Sequence, residues 1–146
     1  MKSVIAALLL LAAPAAAQAP APATTPQRAP AELPFSEARR AGDLLFLSGA
    51  LGRAPGGDTV VSGGIVPETE QTLRNIETTL KAHGGTLDDV VKCTVFLADM
   101  AEWPAMNQVY VKFFKKPFPA RSALGASGLA LGARVEIECI AHLPKG

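Results

Sequence analysis

Only two stretches of this sequence carry a helical period, and each stands between runs that read as β-strand. In residues 67–83, Leu73, Ile76 and Leu80 recur at spacings of three and four, while Glu70, Arg74, Glu77 and Lys81 fall on the other side. Pro67 opens this helix and Gly84-Gly85 follow it, the usual asymmetry of helix ends. Trp103, Met106, Val109, Tyr110 and Phe113 outline the second helix, with Pro104 in its first turn, where a missing N–H does no harm.

Strand-like runs cover residues 35–40 and 44–48, joined by the turn Ala41-Gly42-Asp43, then 91–97, 121–127 and 135–141. The run Leu44-Leu45-Phe46-Leu47 is apolar throughout, which predicts burial on both of its faces. A loop rich in glycine and proline fills residues 52–64, and Thr86-Leu87-Asp88-Asp89 reads as a capped single turn. The order strand, strand, helix, strand, helix, strand, strand predicts an α+β domain. It is an α/β sandwich in which two crossover helices cover one face of a mixed sheet. No helix remains for the second face, so self-association is expected to cover it.

The chain has 146 residues, 49% of them apolar, enough for one domain with a core. Residues 1–17 read as an export signal: Lys2 supplies the positive end, residues 4–13 the apolar stretch, and Ala15-Ala16-Ala17 the cleavage site. Cleavage is expected after Ala17, giving a periplasmic or secreted protein with no stable membrane insertion, since a spanning helix needs roughly twenty apolar residues. The competing reading is an uncleaved tail that holds the protein on a membrane. Residues 18–33 are rich in alanine, proline and threonine without a period, and read as a flexible linker before a domain of residues 34–146.

Fourteen basic and thirteen acidic side chains give a formal charge of +1, which argues against a nucleic-acid partner. Cys93 and Cys139 both fall in strand-like runs. An exported chain invites a bridge between them, and two separate buried thiols remain the alternative. With His83 and His142 as the only histidines and no CxxC or HExxH, no zinc site is expected.

Near the C-terminal end, Phe118-Pro119-Ala120-Arg121-Ser122 and Val135-Glu136-Ile137-Glu138 place one permanent cation and one carboxylate on strands. A guanidinium offers a planar fork that suits a carboxylate ligand, and a nearby glutamate can position a water. Glu138 shares the alternation of Glu136, so either can fill that role. An ion pair between Arg121 and Glu136 on adjacent strands is the structural alternative.

Several further segments share an ordered pattern: Pro34-Phe35-Ser36-Glu37-Ala38, Phe46-Leu47-Ser48-Gly49, Gln71-Thr72-Leu73-Arg74-Asn75-Ile76 and Leu87-Asp88-Asp89-Val90-Val91-Lys92. Thr94-Val95-Phe96-Leu97-Ala98-Asp99-Met100 and Met106-Asn107 extend it towards the arginine. Together with the two C-terminal motifs, they make residues 34–143 resemble the RidA (YjgF-type) family of reactive intermediate deaminases.

The resemblance implies a chorismate-mutase-like mixed sheet with two helices on one face. It further implies a homotrimer whose sheets pack into a central barrel, with clefts between subunits. It implies hydrolysis of enamine and imine acids to 2-keto acids and ammonia with no metal or organic cofactor. It maps a carboxylate-binding role to Arg121 and a water-handling role to Glu136. Phe35, Ser48, Gly49, Asn107 and the backbone of Ala123 fall on substrate-binding positions. Phe35 stands where the family commonly has tyrosine, and Ala50 where it commonly has glutamine. Ala123, Leu124, Gly125 and Ala126 stand where the family usually has cysteine, valine, glutamate and valine, which makes the cleft wall smaller and less charged. These departures leave room for a second class of function, a non-catalytic small-acid-binding or chaperone-like trimer. An endoribonuclease, an activity ascribed to some relatives, fits the balanced charge poorly.

Overall fold

The computed structural model of the chain describes residues 34–144. The expected signal and linker therefore lie outside the described residues. Within them, β1 (Ala38–Ala41), β2 (Leu44–Leu47) and β3 (Ala50–Leu51) precede α1 (Ile65–Ala82). Then come β4 (Val90–Leu97), α2 (Trp103–Phe113), β5 (Ala120–Gly125) and β6 (Val135–His142). The sheet order is β1-β2-β6-β4-β5, with β3 also paired to β6. All pairings are antiparallel except β4 with β5, which α2 joins as a crossover.

The predicted helices form, and their ends follow from local chemistry. α1 begins at Ile65, two residues before the expected start, so Pro67 still lies in the first turn, where no acceptor precedes it. Gly84, at φ +78°, ends the helix. The N–H groups of Gly84 and Gly85 donate to the carbonyls of Lys81 and Leu80 at 3.1 and 2.9 Å. The turn at Leu87–Asp89 is held by Asp89, whose carboxylate accepts from the N–H and hydroxyl of Thr86 at 2.7 and 2.9 Å.

The core lies between the helices and one sheet face. Leu73, Ile76 and Leu80 of α1 and Met106, Val109 and Tyr110 of α2 meet Leu45, Leu47, Cys93, Val95, Leu97, Val135, Ile137 and Ala141. Cys93 and Cys139, opposite one another on β4 and β6, form a disulfide inside this core. One further tie was not visible in the sequence. Glu68, only 2% exposed, accepts the N–H of Arg134 at 2.7 Å and of Val135 at 3.2 Å, fastening α1 to the start of β6.

Two expectations are corrected. β2 is buried on one face only: Leu45 and Leu47 point into the core, while Leu44 and Phe46 are exposed on the other side. An apolar exposed face has the same composition as a buried one, so the run could not distinguish them. The chain also does not form the expected central barrel. Its sheet is open, with β1 and β5 at the two edges. Five strands across, two of them only four residues long, are too few to curl closed around a packed interior, which takes about eight.

Candidate functional site

The candidate residues fall into two groups on opposite faces of the sheet. Residues paired across a ladder share a face, and neighbours along a strand alternate. Arg121 pairs with Cys93, which is buried beneath the helices, so Arg121 leaves β5 on the helix side. Glu136 pairs with Phe96, whose neighbours Val95 and Leu97 are the buried ones, so Glu136 leaves β6 on the open side.

The open-face group is built around a missing side chain. A Cβ placed on Gly49 would sit 2.8 Å from Glu136 Cδ and closer still to Oε1, so the carboxylate occupies the space that glycine leaves. Ser48 precedes it and donates its hydroxyl to the Ser36 carbonyl at 2.7 Å, while its N–H donates to Glu37 at 2.9 Å. Those bonds hold the segment carrying the exposed Phe35 against the end of β2. Glu138 points to the same face and lines a recess of about 90 Å³ with Phe46, Lys92, Thr94 and Ile140. Of the two glutamates, Glu136 is the one that covers Gly49. Among the described residues, neither carboxylate forms an ion pair.

The helix-side group centres on Arg121, which is half-buried and forms no ion pair among the described residues. Its guanidinium carbon lies 4.6 Å from the centroid of the Tyr110 ring on α2. Asn107 stands one turn earlier on α2. Its Oδ1 and the Tyr110 hydroxyl are buried without a hydrogen-bond partner. Ala123 is half-buried on β5 and packs against the core on the same side as Arg121. Burial pushes the Tyr110 phenol up to about 12, although the Arg121 charge pulls it down. Tyr110 was legible in the sequence only as an apolar helix position. Its spacing of three from Asn107 puts the two on one face of α2.

One chain does not bring Arg121 and Glu136 together. β4 lies between their strands, and their rows are three residues apart, which puts their backbones about 14 Å from one another. The adjacent-strand ion pair considered from sequence is therefore not formed. Among the described residues, no three His, Cys, Asp or Glu side chains converge as metal ligands, and no helix is long and apolar enough to cross a membrane.

An open mixed sheet with two helices on one face, and on its edge strand an arginine over an aromatic ring with no ion pair among the described residues, defines an α+β protein. Comparison with known proteins gives the family. The family model described as Endoribonuclease L-PSP matches residues 25–143, starting inside the segment read as linker. Reactive Intermediate Deaminase A, chloroplastic, of Arabidopsis thaliana is 46% identical over 118 residues, 80% of this chain and 63% of its own. This chain thus spans less than two thirds of that relative. The 2-iminobutanoate/2-iminopropanoate deaminase of Capra hircus is 44% identical, covering 78% of this chain and 84% of its own. The crystal structure of RidA from the Antarctic bacterium Psychrobacter sp. PAMC 21119 superposes with a TM-score of 0.73 at 35% identity, covering 82% of this chain and 97% of that one. A putative endoribonuclease from Thermotoga maritima gives 0.74 at 37% identity, covering 82% and 94%. The chain belongs to the RidA/YjgF family.

Proposed function

We propose that this protein hydrolyses small reactive imine and enamine acids to 2-keto acids and ammonia, using neither metal nor organic cofactor. The observation that carries the reading is Arg121: a half-buried guanidinium, stacked on a ring and without a protein carboxylate, is a ready anchor for a ligand carboxylate. The deaminase names borne by relatives more than 40% identical support the same chemistry.

In the reaction, a water oxygen bonds to the imine carbon as the carbon–nitrogen π pair moves to nitrogen, which takes a proton. The resulting carbinolamine then expels ammonia, leaving the ketone. The iminium carbon is already electrophilic, so the site has mainly to orient water and accept its proton. Arg121 holds the carboxylate and withdraws charge. Glu136 orients the water over Gly49, with Phe35 and Ser48 as walls, while Asn107 and the Ala123 backbone line the anchor side. Because Arg121 and Glu136 lie on opposite faces of one sheet, the complete cleft forms between copies, in a homotrimer. The exposed Phe46 and Leu124 supply apolar surface for such contacts.

Export to the periplasm or beyond, after cleavage at Ala17, completes the proposal. The Cys93–Cys139 bridge supports it, since disulfides persist in oxidising compartments. Fractionation of producing cells, with the N-terminus of the mature chain read by mass spectrometry, tests this part. Turnover is tested by keto-acid release from an imine freshly made by an amino-acid oxidase. Acceleration that Arg121→Ala abolishes, in a variant of unchanged assembly, supports the deaminase. Saturable keto-acid binding without acceleration supports the non-catalytic small-acid binder instead.

A further inference from the structure

The wall behind Arg121 is a buried aromatic ring whose hydroxyl does nothing to hold it. Tyr110 is 3% exposed, and its hydroxyl has no hydrogen-bond partner. Packing fixes the ring instead, with the Phe114 ring centroid 4.6 Å away. The face of such a ring carries negative potential, and a guanidinium within about 6 Å of its centroid is attracted to it. At 4.6 Å, Arg121 meets that condition. Burial keeps the phenol neutral well above working pH, so the attraction is not an ion pair with a phenolate.

The stacking bears on the anchor. An arginine on an edge strand without a carboxylate partner has several rotamers open to it, and fixing one on binding weakens affinity. A guanidinium already lying along a ring keeps its N–H donors in its own plane, free for a bidentate carboxylate. We propose that Tyr110 is a positioning residue: its ring face holds the Arg121 guanidinium in the orientation that receives the substrate carboxylate. Tyr110 thereby sets affinity for the acid and leaves the chemical step unchanged. This inference rests on the reading of Arg121 as the carboxylate anchor.

The test replaces the ring's electrons while keeping its shape. In the full-length chain, Tyr110→Phe is compared with phenylalanine analogues carrying successively more ring fluorines at the same position. The readouts are the dissociation constant for 2-oxobutanoate and the kinetics of imine hydrolysis. Tyr110→Phe stays within about twofold of wild type, and KM and Kd then climb with fluorination to about tenfold at constant kcat. Tyr110→Leu also opens a cavity in the core, so the fluorinated series, which preserves packing, is the deciding one. A flat series in an active enzyme overturns the positioning role and leaves the deaminase reading standing. A climbing Kd in a chain that hydrolyses no imine overturns the deaminase reading and leaves the positioning role standing. A wild type that neither binds 2-oxobutanoate nor hydrolyses imine overturns both.

Discussion

Arg121 and Glu136 leave the sheet on opposite faces with β4 between their strands. Each is half-buried on its own side, and neither forms an ion pair among the described residues. A small acid that uses both must therefore touch two chains, one offering its arginine edge and the other its Gly49–Glu136 corner.

That division predicts complementation. Arg121→Ala and Glu136→Gln are each inactive alone. When the two are unfolded together and reassembled in equal amounts, about a quarter of the clefts pair an intact arginine with an intact glutamate. Imine hydrolysis should return to about that fraction of wild type. If both groups acted within one chain, the mixture would stay at background.

Gly49 tests the corner itself. In Gly49→Ala, the new Cβ takes the place of the Glu136 carboxylate, which must swing away. Displacing a water-orienting group by about 1 Å can lower the rate about a hundredfold. The expected result is a fall in kcat/KM of that order. Gly49 is exposed, so the melting temperature should change little.

The two helices, the glycine stop of α1 and the two C-terminal strands were legible because each depends on residues close in sequence: a 3.6-residue period, Gly84 beyond the last turn, alternation in residues 135–141. What was not legible is non-local. β4 inserts between β5 and β6, and nothing near Arg121 or Glu136 encodes that. β3 is two residues long and exists only because β6 lies beside it. β2 hid its exposed face because Leu44 and Phe46 are as apolar as Leu45 and Leu47. Nothing near Glu68 in the sequence sets it apart, because its partners lie 66 and 67 residues away.

Glu68 is expected to matter more for stability than any other carboxylate named. Glu68→Ala strips the acceptor from the N–H groups of Arg134 and Val135, next to a fully buried Val135. Unsatisfied buried donors cost about 1–3 kcal/mol each. Urea unfolding of Glu68→Ala should show a loss of about 2–4 kcal/mol, with Glu68→Gln, which keeps an acceptor oxygen, much closer to wild type.

The Cys93–Cys139 bridge spans 46 residues of sequence and closes a loop that contains all of α2 and β5. In the chain-entropy account, a loop of this length contributes about 4 kcal/mol through the unfolded state. Urea unfolding should place the Cys93→Ala, Cys139→Ala double variant about 2–4 kcal/mol below wild type. A reductant should destabilise the wild type and leave the double variant unchanged.

Tyr110 is the only tyrosine in the chain, so its phenolate absorbance reports one group without interference. Burial raises its pKa to about 12, and the Arg121 charge partly offsets that rise. Rapid pH jumps, read before unfolding, should therefore place its titration well above the ordinary 10. In Arg121→Ala the midpoint should move higher still, because the offsetting charge is gone. The sign for stability follows from the same shift. A folded-state pKa above the unfolded one gives stability that is whole below about pH 10 and drains away as pH climbs towards 12, as the unfolded chain releases its proton first. Over that window wild type should lose stability relative to Tyr110→Phe, which has no proton to release. A midpoint that Arg121→Ala leaves in place would mean that the ring and the guanidinium do not meet in solution as they do in the structure, and one near 10 would mean that the phenol is not buried there.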